Sequence, residues 1–221
     1  FTSLTAYQTF SPEACRDKLL HALADTASCY RFLDRAEILP MIHNMVSTVH
    51  LHTDLPRIDL ALIGRCLPNT VYDRRKFAAI TIRIDNPRTT ALLFSSGKLV
   101  VTGSISRQMS ICAVRGIVKM LQGLHIFRFV RYDLHAIQNI VCNVRLPRDM
   151  CIDIQRLYAE QSSLCTYQPS IFPGLIMRPQ RSPVVLLVFK SSRIVVTGAR
   201  NYADIINGFQ DSFATIQAHM Q

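Results

Sequence analysis

An internal repeat is the feature of this sequence that most restricts its fold. Residues 44–103 align without a gap with residues 139–198 at an offset of 95, and 16 of the 60 aligned pairs are identical. Ordinary composition would give only about four or five identities. Both copies end in the same tetrapeptide, Val-Val-Thr-Gly, at 100–103 and 195–198. The chain therefore holds two copies of one structural unit.

Each copy predicts the same order of elements. A strand with alternating apolar and polar residues opens the unit, and a short helix follows it. Three more strands come next, the last two joined by a hairpin turn, and a longer helix closes the unit. The predicted strands are 44–52, 77–84, 90–94 and 99–102 in the first copy, and 139–146, 174–178, 184–189 and 194–197 in the second. Hairpin turns are predicted at 95–98 and 190–193. The predicted helices are 55–66 and 106–122 in the first copy, and 150–160 and 201–217 in the second.

The repeat also predicts the domain organisation. Residues 37–130 form the first repeat, residues 131–221 form the second, and residues 1–36 lie outside both. Ser11-Pro12-Glu13 is typical of a helix start, and Leu19, Leu20 and Leu23 give the segment an apolar face. Two interpretations stay open for residues 1–36: an accessory helix packed on the domain, or a mobile arm.

Composition favours a soluble folded protein. The chain has 221 residues with 49% hydrophobic content, which is enough to bury a substantial core. Its longest apolar runs are shorter than the roughly 18 residues of a membrane span, and Phe1 does not open a signal peptide. Because an initiator Met is lacking, we interpret the chain as trimmed. No membrane association is expected.

The charge is strongly basic and unevenly placed. The formal net charge is +10, whereas residues 1–36 carry four basic and four acidic side chains and so contribute zero. All the excess positive charge therefore belongs to residues 37–221. A basic folded domain of this kind favours a polyanionic partner, and nucleic acid is the usual one.

The cysteines and histidines do not predict a metal site. Seven cysteines occur without a Cys-x-x-Cys pair, which argues against both a disulfide framework and zinc and favours reduced thiols in a nuclear or cytoplasmic protein. His50 and His52 alternate along a predicted strand and point the same way, but no third or fourth ligand lies near them in the sequence. We expect neither a metal nor a cofactor.

The first strand of each copy carries matching amide and apolar groups on one face. Asn44 and Val46 share a face with Thr48, and Asn139 and Val141 share one with Asn143. Paired amides suit the hydrogen-bond acceptors of the DNA minor groove, and an apolar surface suits A·T pairs, which lack the guanine amino group. Alternatively, the valines are core residues and the asparagines form turns. The side chains expected to press on base edges are Val46, Leu92, Val100, Thr102, Val141, Leu187, Val195 and Thr197.

Four phenylalanines repeat with the same spacing. Phe77 and Phe94 are 17 residues apart, as are Phe172 and Phe189. Large rings in pairs at both ends of a sheet are suited to wedge between base steps and kink a duplex. Any one of them alone would be an ordinary core residue.

Basic and hydroxyl side chains surround these phenylalanines and suit phosphate contacts. Such contacts position a protein on DNA without reading sequence, and they make binding salt-dependent. The predicted contacts are Arg83, Arg88, Thr89, Thr90 and Lys98 in the first copy, and Arg178, Arg181, Arg193 and Arg200 in the second.

Several segments together resemble the core of the TATA-binding protein family. They are residues 76–80, 87–103, 137–141 and 172–176, and the resemblance covers about residues 37–218. It implies an α+β fold in which two pseudo-symmetric repeats form one curved, ten-stranded antiparallel sheet, a saddle with helices on its convex face. It also implies that the concave face takes a widened minor groove and that the phenylalanine pairs kink the DNA, a mechanism for which this family is itself a standard example.

The resemblance implies a function as well. A member of this family would be a nuclear general transcription initiation factor that binds A·T-rich promoter DNA and nucleates preinitiation complex assembly. Its implied partners are double-stranded DNA, general transcription factors of the IIA and IIB type, and polymerase-specific initiation factors. An enzyme is disfavoured, because we find no paired carboxylates, no phosphate-binding glycine loop and no cysteine–histidine nucleophile pattern.

Departures from the family pattern predict altered partner contacts. The segment with Tyr167, Gln168, Ser170 and Ile171 lacks the glutamates that flank its proline in the family. The long helix of the first copy, usually rich in Lys and Arg, carries only Arg107, Arg115 and Lys119. Asp85 and Ile105 replace common basic residues, and Ser192 replaces a turn glycine. The alternative function is therefore a protein-interaction scaffold that recruits polymerase factors and binds DNA weakly.

Overall fold

The computed structural model of the chain describes residues 38–147 and 150–220. The predicted extension 1–36 lies outside these residues, as do positions 37, 148, 149 and 221 of the predicted repeats. By its internal contacts the chain divides into Phe1–Leu39 and Pro40–Gln221. The described helices and strands all belong to the second unit.

Two long strands, one from each repeat, pair at the centre of the sheet. β1 (Met41–Thr53) and β7 (Ala136–Arg145) run antiparallel, with Asn44 opposite Val141 and Val46 opposite Asn139. This exchange of partners relates the strands by an approximate twofold axis. Both repeats therefore contribute to a single sheet.

The remaining strands extend the sheet outwards in the same order on both sides. They are β2 (Thr70–Val71), β3 (Ala79–Ile84), β4 (Thr89–Phe94) and β5 (Lys98–Ser104) in the first repeat, and β8 (Cys165–Thr166), β9 (Leu175–Met177), β10 (Val185–Val188) and β11 (Arg193–Ala199) in the second. The order across the sheet is β2-β3-β4-β5-β1-β7-β11-β10-β9-β8, antiparallel throughout. The predicted ten-stranded open saddle is confirmed.

An eleventh short strand lies outside this path. β6 (Val130–Tyr132) belongs to the connection between the repeats and pairs antiparallel with Leu51–Thr53 at the end of β1. Alternation over three residues is too short to predict a strand. β6 brings the connection against the first repeat.

Four helices accompany the described strands. They are α1 (Leu60–Cys66), α2 (Arg107–Gly123), α3 (Ile154–Glu160) and α4 (Tyr202–Gln217). The two short helices begin four or five residues later than predicted. Asp59 and Asp153 cap them by accepting hydrogen bonds from the first-turn amides, which fixes the start.

The two faces of the sheet have different environments. α2 packs on β1, β5 and β6, while α4 packs on β7 and β11. Side chains that point towards these helices, such as Val101 and Val196, are fully buried, and their alternate neighbours are half-buried. The hydrophobic core therefore lies between the sheet and the helices, and the described helices leave the opposite face open. None of the helices in the described residues has both the length and the apolar character needed to cross a bilayer.

A small polar cluster connects α2 to β1 and to the residue that precedes β7. The Ser47 and Ser110 hydroxyls are hydrogen-bonded, and Ser110 also contacts His135 Nε2 at 2.9 Å. The other ring nitrogen of His135 has no partner among the described residues. Burial, and secondarily the Arg107 charge, lower the pKa of His135.

We expect His135 to make stability depend on pH. Because the pKa of His135 is lowered in the folded chain, the unfolded chain binds a proton at this histidine more readily. The contribution of neutral His135 to stability is therefore complete above the ordinary histidine pKa of about 6.5 and is lost as pH falls below it. His135→Gln should show a shallower fall in unfolding free energy between neutral and mildly acidic pH. Equal slopes in urea titrations of the two proteins would contradict this.

The hairpin turns differ between the repeats at one position. Gly97 has φ +90°, and a Cβ there would lie 2.4 Å from the Leu51 carbonyl oxygen. Its counterpart Ser192 has φ +58°, and its hydroxyl donates to the Met150 carbonyl. The glycine is thus required in the first turn, while the second tolerates a side chain.

We expect exchange of these two residues to have unequal effects. Gly97→Ser should lower the free energy of unfolding by about 1–3 kcal/mol, because it combines left-handed strain with a backbone clash. Ser192→Gly relieves strain but loses one hydrogen bond, so its effect should stay within about 1 kcal/mol. Urea unfolding of both variants measures the difference, and equal destabilisation would refute this explanation.

Candidate nucleic-acid interface

The predicted base-contacting side chains lie together on the open face of the sheet. They are half-buried and come from six adjacent strands, β4-β5-β1-β7-β11-β10. The residues are Val46, Leu92, Val100 and Thr102 in the first repeat, and Val141, Leu187, Val195 and Thr197 in the second. The four valines are therefore surface residues of the sheet, and the alternative that they are core residues is wrong. Together they form a continuous stripe, which we call the open-face stripe.

Both asparagines are held in one orientation at the centre of this stripe. Asn44 Oδ1 accepts a hydrogen bond from the Gly103 backbone at 2.8 Å, and Asn139 Oδ1 accepts one from Gly198 at 2.9 Å. Each amide also exchanges hydrogen bonds with a threonine hydroxyl, Thr102 or Thr197. The carbonyl oxygens are occupied and one N–H of each amide donates to a threonine, so the second N–H of each Nδ2 remains as a donor to a ligand.

Two glycines make this orientation possible. Gly103 and Gly198 have φ of +90° and +100°, a conformation that residues with a Cβ rarely adopt. It turns their N–H groups towards the asparagines. Sequence reasoning did not identify these glycines as part of the site, although their identical tetrapeptide context was a visible signal.

The four phenylalanines form two matched pairs. Phe77 and Phe94 have ring centroids 6.1 Å apart in an edge-to-face arrangement, and Phe172 and Phe189 lie 5.7 Å apart in the same way. Phe77 is 49% exposed, and the other three are half-buried. Phe94 and Phe189 continue the alternation of Leu92 and Leu187, so the pairs stand at the two ends of the open-face stripe.

The second pair packs closely on a glycine. A Cβ at Gly174 would lie 2.8 Å from Phe172 Cε1 and 2.9 Å from Phe189 Cε1. At the matching position the first repeat has Ala79. Gly174 therefore lets the second pair of rings approach the sheet more closely, a contact that the spacing of the phenylalanines did not reveal.

The basic residues are exposed around the stripe. The structure places the following side chains at the surface: Arg83, Arg88, Lys98, Arg178, Arg181, Arg193 and Arg200. Asn44, Arg83, Arg88 and Thr90 border an open depression that also includes Asp85. This carboxylate reduces the positive potential at that end of the first repeat.

Thr89 corrects the predicted set of phosphate contacts. It is 4% exposed, and its hydroxyl donates to the Pro87 carbonyl at 3.1 Å. Its neighbour Thr90 points to the open face and is half-buried. Alternation along β4 thus places the two threonines on opposite faces, and only Thr90 remains a candidate contact.

The predicted partner surface has two parts. On α2, Arg107 donates to the His135 carbonyl and Lys119 is exposed, while the Tyr132 side chain raises the pKa of Arg115. Both arginines thus contact the connection between the repeats.

The second part is the segment 167–171, which is built differently. Ile171 is 79% exposed, and Gln168 and Ser170 are exposed beside it. The Tyr167 ring lies 6.3 Å from the Tyr158 ring of α3. The segment thus exposes one large apolar side chain, contains no carboxylate, and holds a tyrosine ring against α3.

Comparison with known proteins gives consistent matches. A family model described as "Transcription factor TFIID (or TATA-binding protein, TBP)" matches residues 40–124 and 135–219. The TATA-box-binding protein of Dictyostelium discoideum is 39% identical over 183 residues, covering 82% of this chain and 85% of that protein. That of Acetabularia peniculus is 38% identical over 181 residues, covering 81% and 90%.

Structural comparison agrees. The solved structure of Methanococcus jannaschii TBP has a TM-score of 0.66 and 26% identity, covering 80% of this chain and 97% of that one.

The human TATA box-binding protein-like 2 is 38% identical in sequence over 183 residues, covering 81% of this chain and 50% of that protein.

Proposed function

The chain belongs to the TATA-binding protein family and is a transcription initiation factor of that type, and from this premise we propose that it binds A·T-rich promoter DNA in the minor groove and kinks it. The open face of the sheet receives the DNA. The bent complex then nucleates assembly of the preinitiation complex in the nucleus.

Two phenylalanine pairs, standing at matched places on the open face, carry this proposal. Exposure of these apolar rings to water costs free energy, and they are half-exposed at both ends of the open-face stripe. Inserted between base steps, they would exchange water for stacked bases and bend the duplex away from the protein surface. The edge-to-face packing within each pair supports one ring with the other.

The oriented amides support minor-groove contact. Adenine N3 and thymine O2 are acceptors, so they match the Nδ2 donors of Asn44 and Asn139. The twofold register of β1 and β7 places these donors symmetrically, as the pseudo-symmetric acceptors of a minor groove require. The valines and leucines of the open-face stripe favour A·T pairs, since a guanine amino group would lose its hydrogen bonds against them.

The exposed basic residues support contacts to phosphate on both sides of the groove. Counterion release would make binding weaken steeply as salt concentration rises. Asp85 opposes one such contact, so we propose somewhat weaker binding than a fully basic margin would give. Catalysis plays no part in this function, and incubation of labelled duplex with the chain and Mg²⁺ should leave the DNA uncut.

We expect the phenylalanine pairs to be required for bending. Changing Phe77, Phe94, Phe172 and Phe189 together to Ala should abolish bending of an A·T-rich duplex in a fluorescence-transfer assay and raise Kd by at least about tenfold, a loss of about 1.4 kcal/mol. Phe129→Ala, which removes another ring of similar exposure, is the matched control. Bending of wild-type extent by the quadruple variant would rule out the wedge mechanism.

We expect the amides to act as donors. Asn44→Asp and Asn139→Asp keep the oxygen that accepts from Gly103 or Gly198, so unfolding free energy should change by less than about 1 kcal/mol. Both variants replace the donor with a negatively charged acceptor and should therefore weaken DNA binding by at least about tenfold. Asn143→Asp adds the same charge on β7 and should weaken binding less. Equal losses in all three variants would indicate charge repulsion alone.

A second function is favoured by the second part of the predicted partner surface. The exposed Ile171 and the Tyr158–Tyr167 pair would suit a protein partner, as a scaffold for polymerase factors requires. In that case factors of the IIA and IIB type and polymerase-specific factors would bind through altered contacts at Arg107, Arg115, Lys119 and segment 167–171. Tight, salt-sensitive DNA binding by the isolated chain would exclude a scaffold without DNA-binding function, whereas co-purification of initiation factors with negligible DNA affinity would favour it.

A further inference from the structure

Two histidines at the end of β1 face the same way on the open side of the sheet. His50 and His52 alternate with the buried Val49 and Leu51, and both are exposed. Their ring centroids are 5.0 Å apart. Two imidazoles at this spacing form half of a transition-metal site, and the sequence near them supplied no further ligand.

The connection between the repeats supplies the missing ligand. Asp133 follows β6 and is brought to His50 and His52 because β6 pairs with the end of β1. One ligand atom from each of the three residues lies within 4.8 Å of the others, and His52 Nε2 is 3.5 Å from Asp133 Oδ2. Ligand atoms of a tetrahedral zinc ion are about 3.3–3.5 Å apart, given bonds of about 2.0–2.1 Å.

We propose that His50, His52 and Asp133 bind one divalent transition-metal ion of the zinc type, with water in the fourth position. Two imidazoles and one carboxylate suit zinc and its neighbours, whereas calcium and magnesium prefer oxygen ligands alone. The ion would join the connection between the repeats to the first repeat.

The backbone of His50 orients the carboxylate for this purpose. Its N–H donates to Asp133 Oδ1 at 2.9 Å, and the Asp133 N–H donates to the His50 carbonyl at 3.2 Å. One carboxylate oxygen is therefore occupied, and Oδ2 is left for the ion.

Two cations flank the three ligands and limit the affinity. Lys98 is the cross-strand neighbour of His50, and Arg131 is that of His52. The Arg131 guanidinium lies 5.7 Å from the Phe129 ring centroid, an interaction that partly accommodates its charge. Of the two side chains, Lys98 repels a bound cation more strongly. We therefore expect Lys98→Gln to lower the Kd for the metal ion.

Titration of the full, reduced chain with zinc after removal of metals by a chelator tests the site. We expect one ion per chain by calorimetry and a rise in Tm of about 5–10 °C when zinc exceeds Kd by about 100-fold. His52→Ala and Asp133→Asn should weaken binding by at least about tenfold and suppress the rise in Tm. His43→Ala, another exposed histidine of β1, should bind as the wild type does.

Cobalt distinguishes this site from the cysteines. Burial raises the pKa of the Cys142 thiol to about 12 and that of Cys165 to about 11, which disfavours both as ligands. A bound-cobalt spectrum without a thiolate charge-transfer band supports the proposal. A thiolate band at the first equivalent, or unchanged zinc affinity in His52→Ala with wild-type circular dichroism, would overturn it. Asp133→Asn keeps the acceptor for the His50 amide, so its loss of binding would reflect the ligand and not unfolding.

Discussion

The antiparallel pairing of β1 with β7 is the interaction on which the rest of this structure depends. Its register sets the asparagine of each repeat opposite the valine of the other, so the twofold axis passes between them. Every feature that the duplication preserved is thereby placed symmetrically about the centre of one sheet. A shift of β1 by one residue would turn Asn44 and Val46 towards the helices and bury the Asn44 amide without a partner.

Alternation along the strands then separates stability from binding. One set of side chains packs against α2 and α4 and is almost wholly buried, while the other set stays half-exposed. The open face carries valines, leucines and phenylalanines that a free surface would not favour, together with two amides fixed by backbone donors. Such a surface is suited to a ligand that is itself apolar in places and offers acceptors in others, and the minor groove of A·T-rich DNA has both properties.

The two repeats are less alike away from the axis. Segment 167–171 exposes Ile171 in the second repeat, and the connection between the repeats adds β6 and Asp133 to the first. The turn at Gly97 requires glycine, whereas Ser192 tolerates a side chain. The symmetric open face thus serves the proposed DNA contact. The parts in which the two repeats differ carry the proposed partner surface and the proposed metal site.

Sequence alone determined the duplication, the type of most elements and the family, because an offset of 95 and strand alternation are local patterns that require no knowledge of contacts. It also identified the asparagines and phenylalanines, since these recur at equal spacing. Tertiary structure decided the rest. It turned Thr89 into the core, oriented the asparagine amides through Gly103 and Gly198, added β6, and brought Asp133 to two histidines more than 80 residues earlier. These outcomes depend on strand register and backbone hydrogen bonds between distant segments, which no local pattern encodes.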